Sequence, residues 1–163
     1  MQAIVEYPNS VLRVAARRVE KFDSSVSLLI EDMFGSMASA AGVGLAAPQI
    51  GVSMSVLVMD PSAGSDLTTR YALINPRITW RSRETEIASE GCLSIPGKTC
   101  KVKRHVSVEV EYQDVTGKTY TKNFTSFEAR IVQHEIDHLN GVVMTDVAVR
   151  PVKAASRESE ATT

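Results

Sequence analysis

Residues His134-Glu135-Ile136-Asp137-His138 set two histidines four positions apart with a glutamate between them. On a helix, side chains at that spacing lie one above the other on the same face, so both imidazoles reach one divalent cation without bending the backbone. Glu135, offset by one residue from His134, points beside the cation, where its carboxylate can take a proton from water and pass it to a leaving group. About forty positions upstream, Glu90-Gly91-Cys92-Leu93-Ser94 supplies a thiol at Cys92. Two imidazoles and one thiolate leave a fourth position open, which is the donor set of a catalytic centre; closed structural centres use four protein ligands.

The histidine count favours this reading, since the chain has three, His105, His134 and His138, and two stand in the motif. Two alternatives use the second cysteine. A closed site of Cys92, Cys100, His134 and His138 would leave Glu135 idle. A disulfide between Cys92 and Cys100 needs an oxidising compartment, and the opening residues do not read as a secretory leader. His105 and Cys100 are therefore left outside the site, as structural residues.

The ligands have to ride on a rigid element. At 100° per residue, Phe127, Ile131, His134 and His138 fall within about 60° of one another, a stripe that sets two ligands against two apolar residues. Thr125-Ser126-Phe127-Glu128 has the form of a capping box and Gly141 that of a stop, predicting a helix from about Ser126 to Asn140. Val26, Leu29, Ile30, Met33, Phe34 and Met37 recur at three and four, predicting an amphipathic helix from Ser24 to Ala41, capped by Asp23 or Ser24 and stopped by Gly42. Between the two, Ser55 to Met59 and Ala72 to Ile74 read as buried strands. His105 to Tyr112 alternates as a half-buried one, and Asp114 to Lys118 is a turn into a return strand through Tyr120 and Phe124. The expectation is an α+β domain in which antiparallel sheets pack around the HExxH helix, with the amphipathic helix N-terminal to them.

Three segments, Gly42-Val43-Gly44-Leu45-Ala46-Ala47-Pro48-Gln49, Glu90-Gly91-Cys92-Leu93-Ser94 and Gln133-His134-Glu135-Ile136-Asp137-His138-Leu139, resemble the signature motifs of the peptide deformylases, in that family's order and separation. The likeness extends over about residues 1 to 147, through Tyr7 to Arg13 and Leu73-Ile74-Asn75-Pro76. It implies removal of the N-formyl group from the initiator methionine of nascent chains, with Cys92, His134 and His138 as metal ligands and Glu135 as general base and acid. It also assigns the side chain of Gln49 and the backbone N–H of Leu93 to the developing oxyanion. Val43, Phe127 and Ile131 would line the methionine pocket. Extended peptide would pair beside Val43, Gly44 and Leu45, with Gly91 opposite, the glycines permitting turns and close approach. Glu90 and Arg104 would brace the Cys92 loop, and Asp137, off the metal stripe, would brace a neighbouring strand or loop. The donor set accepts Fe(II), Co(II), Ni(II) or Zn(II), and the resemblance points to Fe(II) in the cell, with zinc, nickel or cobalt able to replace it in purified protein.

Composition is compatible and less sharp. The 163 residues, 44% apolar and with a net charge of −1, suit one globular domain of residues 1–149 followed by a short flexible tail, 150–163. Eighteen basic against nineteen acidic residues give no general reason to expect nucleic-acid binding, and no apolar run approaches the ~18 residues of a membrane span. The tail lacks the basic C-terminal helix through which many bacterial deformylases meet the ribosome. A monomer acting in a bacterial-type cytoplasm is the expectation, with an organellar or phage origin open. Two rival classes are an HExxH peptidase that cuts internal peptide bonds and a silent relative that binds without turnover.

Overall fold

The computed structural model describes residues 1–63 and 69–150. Helix α1 (Ser24–Ser39) begins at Asp23, whose carboxylate accepts the Ser25 amide at 2.9 Å. It ends two residues short of the Ala41 expected from periodicity. Ala41 itself takes the left-handed conformation, φ 53°, while the amides of Ala41 and Gly42 turn back onto the carbonyls of Ala38 and Met37. The stop therefore rests on Ala41. Gly42 has a different reason to lack a side chain, because a Cβ there would meet Leu93 Cδ1 at 2.7 Å.

Among the described residues seven strands follow in two antiparallel sheets: β1 (Gly44–Ala46), β2 (Val56–Met59), β3 (Tyr71–Arg81), β4 (Thr85–Cys92), β5 (Ile95–His105), β6 (Ser107–Gln113) and β7 (Thr119–Thr125). The larger sheet runs β1-β2-β3-β6-β7, with β1 at its edge, and β4 with β5 forms a separate hairpin. Helix α2 (Ser126–Leu139) and a short α3 (Met144–Val147) complete an α+β fold.

Strand β2 is apolar throughout because both of its faces are covered. Val56 and Val58 meet Val26, Ile30, Met33 and Met37 of α1. Leu57 and Met59 join Val108, Val110 and Phe124 against Ala129, Ile131, Val132, Ile136 and Leu139 of α2. The same alternation splits β1: Leu45 belongs to the α1 side, whereas Gly44 and Ala46 face α2.

The strand expected from His105 to Tyr112 is two strands. At Val106, whose amide bonds to the Glu84 carbonyl, the chain leaves the hairpin and enters the larger sheet. Alternation continues across that junction, so periodicity alone does not reveal it. The capping box at Thr125 does not form either. Thr125 makes no side-chain cap, Ser126 has φ 53°, and the Ser126 amide bonds Val106 instead, so β7 feeds directly into α2. At the other end Gly141, φ 73°, stops α2 as its sequence position suggests, with Val142 bonding back to Asp137. Beyond α3, Ala148 bridges to Val102 and the Val149 amide bonds the Lys101 carbonyl, so this stretch lies along β5. The expected flexible tail lies, apart from Arg150, outside the described residues.

Candidate metal centre and substrate cleft

Cys92, His134 and His138 meet although they come from two elements. The end of β4 carries Cys92 and consecutive turns of α2 carry the histidines, and one donor atom from each lies within 4.8 Å of the others. Cys92 Sγ is 3.3 Å from His138 Nε2. His134 is oriented from behind: its Nδ1 pairs with Glu90 Oε2 at 2.9 Å, which leaves Nε2 for the centre. Glu90 is in turn gripped by Arg104 through two bonds, 2.8 and 3.0 Å, and Arg104 reaches Asp137 at 2.6 Å.

Charge tests whether these residues suit a cation. Burial works against a charged ring at His134, yet its bonds to Cys92 and Glu90 outweigh burial and raise its pKa to about 10. At His138, which has no carboxylate behind it, burial lowers the pKa to about 3. Glu90 is held at about 2, the bonds from His134 and Arg104 overcoming burial. Two imidazoles, one backed by a carboxylate, and a sulfur donor are the borderline-to-soft set that a transition-metal dication takes. The donors fit.

Glu135 stands beside the donors and is almost fully buried, and its Oε2 has no hydrogen-bond partner among the described residues. Burial pushes its carboxyl up to about 7. The close neighbour that encloses it is Gly44, where a Cβ would stand 2.5 Å from Glu135 Oε1 and 2.8 Å from Ile131 Cγ2. Gln49, also buried, lies in the 3-10 turn Ala47–Ile50 and is locked by the end of β1: Oε1 accepts the Ala46 amide at 2.9 Å, which aims Nε2 at Ser94 Oγ, 3.2 Å, and toward Cys92 Sγ, 3.7 Å.

A cavity of about 670 Å³ opens over these groups, between the Gly42–Gly44 segment, the tip of the β4–β5 hairpin and α2. The Polypeptide deformylase family model matches residues 1–154. The chain belongs to the peptide deformylase family. Peptide deformylase 1 of Nostoc sp. is 46% identical over 136 residues, 83% of this chain and 73% of that protein. Among solved structures, a plant peptide deformylase superposes with a TM-score of 0.88 at 36% identity, covering 91% of this chain and 80% of the other. The Thermotoga maritima peptide deformylase gives 0.86 at 40% identity, covering 93% and 99%. As a member of that family the chain is a hydrolase.

Against this deformylase frame the expected residues sort by strand and helix geometry. Val43, Gly44, Gly91, Ile131 and Phe127 line the cavity together with Gln49, Leu93, Glu90, Cys92, His134 and Glu135. Phe127 is 53% exposed and so stands at the mouth, while Ile131, 5% exposed, is a true wall. The side chain of Leu45 does not reach the cavity. It is fully buried on the α1 side, because successive residues of β1 point to opposite faces of the sheet. Gly44 and Gly42 do not need unusual backbone angles; what excludes a side chain is Glu135 with Ile131 in one case and Leu93 in the other.

Sequence reasoning missed Ser94, Gln133 and Arg130. Ser94 is fully buried and accepts from Gln49. Gln133 bridges to both backbone groups of His105, at 3.2 and 2.9 Å. Arg130 bonds Glu90 Oε1 at 2.8 Å. A signal was available: Arg130, Gln133, His134 and Asp137 fall at i, i+3, i+4 and i+7, a polar stripe along α2 that had to face a polar partner.

Proposed function

We propose that this chain removes the N-formyl group from the N-terminal methionine of nascent polypeptides, releasing formate. The observation that carries the reading is the convergence under one apolar cavity of three cation donors, a buried carboxylate near neutrality and an oriented amide donor. Cys92, His134 and His138 hold a divalent cation. Bound there, it supplies the Lewis acidity that acidifies water and polarises a carbonyl.

Glu135 takes the proton of the water that attacks the formyl carbon. It carries that proton and delivers it to the departing amine nitrogen as the C–N bond breaks, so one group serves as base and then acid. A carboxyl raised by burial suits both halves of that cycle. Gln49 Nε2 and the Leu93 amide donate to the formyl oxygen as charge builds on it, and losing one such donor typically costs about 3 kcal/mol of transition-state stabilisation. The methionine side chain, an unbranched thioether, occupies the apolar slot of Val43, Ile131 and Phe127. The peptide main chain extends along the edge of β1 beside Val43 to Leu45, with Gly91 across the cleft.

Helix α2 is thus the element around which the two sheets organise the site, within a single catalytic domain of residues 1–149. Fe(II) is the working ion, with Zn(II), Ni(II) or Co(II) as replacements in purified protein. The chain acts as a monomer in a bacterial-type cytoplasm or an organelle. Its partners are formylated nascent chains. Among the described residues no helix is long and apolar enough to cross a membrane.

The test is formate release from an N-formyl-Met tripeptide by anaerobically prepared, Fe(II)-loaded protein, with the unformylated peptide alongside. Formate from the first and no cleavage of the second is the expected pair. Internal cleavage would point to a peptidase, and no turnover by folded, metal-loaded protein to a silent binder.

A further inference from the structure

The hairpin that delivers Cys92 is a sheet of its own, sharing no strand pairing with the larger sheet among the described residues. Besides the backbone ties at its ends, its position relative to the histidines depends on what joins the hairpin directly to α2. The join is polar. Arg104 of β5 meets Asp137, Gln133 meets the His105 backbone, and Arg130 makes three contacts at once. Its Nη1 donates to Glu90 Oε1 at 2.8 Å and to the Val102 carbonyl at 3.0 Å, and its Nη2 donates to the Glu86 carbonyl at 2.9 Å.

These contacts touch both strands of the hairpin from a residue one helical turn before His134, and the side chain is only 11% exposed. Glu90 Oε1 is shared between Arg104 and Arg130, while Oε2 is shared between Arg104 and His134. Without Arg130, Glu90 would keep Arg104, which lies on the same hairpin, and lose a tie to α2 that does not pass through the metal ligand. We propose that Arg130 is a positioning residue for the metal centre: it fixes the hairpin, and so Cys92 and Glu90, against the helix that carries the histidines. This rests on reading Cys92, His134 and His138 as the ligands. Arg104 with Glu90 reaches the helix only through Asp137 and the ligand His134, whereas Arg130 ties both strands of the hairpin to it independently of the ligand.

The geometry also says which substitutions separate charge from shape. Lysine keeps the positive charge but cannot serve three acceptors through a rigid planar fork, and methionine keeps the stem and removes every donor. Partners of metal ligands typically contribute about 10- to 100-fold in metal affinity. Arg130→Met should weaken Co(II) binding within that range and speed Co(II) loss to a chelator. The thiolate-to-cobalt absorption band should shift or broaden as the Cys92 geometry loosens. Arg130→Lys should fall between methionine and wild type.

The decisive experiment is Co(II) titration and chelator-driven release for wild type, Arg130→Met and Arg130→Lys, with thermal unfolding of each metal-free protein beside it. Weaker binding and an altered cobalt spectrum in a variant that unfolds as one cooperative unit would support the role. A folded Arg130→Met with wild-type affinity and spectrum would overturn it. Should the methionine variant not fold, Arg130→Lys decides: a loss of about threefold or more supports the role and wild-type affinity overturns it. A wild-type protein that takes up no Co(II) would overturn the ligand assignment itself, whereas equal binding by wild type and variants overturns only the part given to Arg130.

Discussion

At Gly44 the requirement for glycine comes from the catalytic side of the molecule: a methyl group there would press on Glu135 Oε1 and Ile131 Cγ2. The end of Glu135 can swing where the main chain of β1 cannot, so Gly44→Ala should leave a folded protein with its carboxylate displaced. Since a misplacement of about 1 Å can cost ~100-fold in rate, kcat/KM on a formylated peptide should drop by about that factor while metal content stays at one per chain. Full activity would show that Glu135 is not held where the reaction needs it. Glu135→Gln goes further, removing proton transfer and no ligand. Its metal content should be unchanged and its formate release lower by ~100-fold or more, and near-normal turnover would refute the assigned role. A change for the better is available at Ala41, which takes a left-handed angle without being glycine. Ala41→Gly should raise stability by about 1 kcal/mol, read from the urea midpoint.

The elements differ in how openly the sequence announces them. Val26, Ile30, Met33 and Met37 repeat at helical spacing because they meet the sheet, and that repeat marks α1 from spacing alone. Strand β2 is visible for the same reason. The β4–β5 hairpin is not, since its inward side chains include Glu90 and Arg104, and hydrophobic patterning has nothing to track where a buried face is made of an ion pair. The same cause hid Arg130, Gln133 and Ser94, while Cys92, His134, Glu135 and His138 stood out by residue type and spacing and Gln49 only through the likeness of its motif. The side chain of Leu45 turns to the α1 side, so any part it takes in the cleft is through its main chain. If the hairpin is held by polar ties, then breaking the tie at its other end should matter also. Asp137→Asn, which leaves Arg104 with only Glu90 as a charged partner, should lower thermal stability by a few degrees with little change in the Co(II) spectrum. A spectrum altered as much as that expected for Arg130→Met would mean that both ties position the ligands.

For the molecule as a whole, the centre joins a hairpin and a helix that no strand pairing connects, so a cation that binds only the folded form adds stability by mass action. Stripping the metal with a chelator should lower the unfolding temperature, and adding Zn(II) back should restore it in proportion to the logarithm of free zinc. Cys92→Ser should abolish most of that response; an intact response would mean that another group is the third donor. The edge on which a peptide is proposed to pair has one more property. Strand β1 is three residues long, closed at one end by the turn after α1 and at the other by the 3-10 turn Ala47–Ile50 with its Pro48. So brief a margin lends a visiting chain a very small number of main-chain bonds, the same for any sequence. Such an edge is too short to nucleate a growing stack of foreign strands. On the proposed function it would also be indifferent to the side chains behind the first residue, so that one small protein would serve many different newborn chains and let each one go.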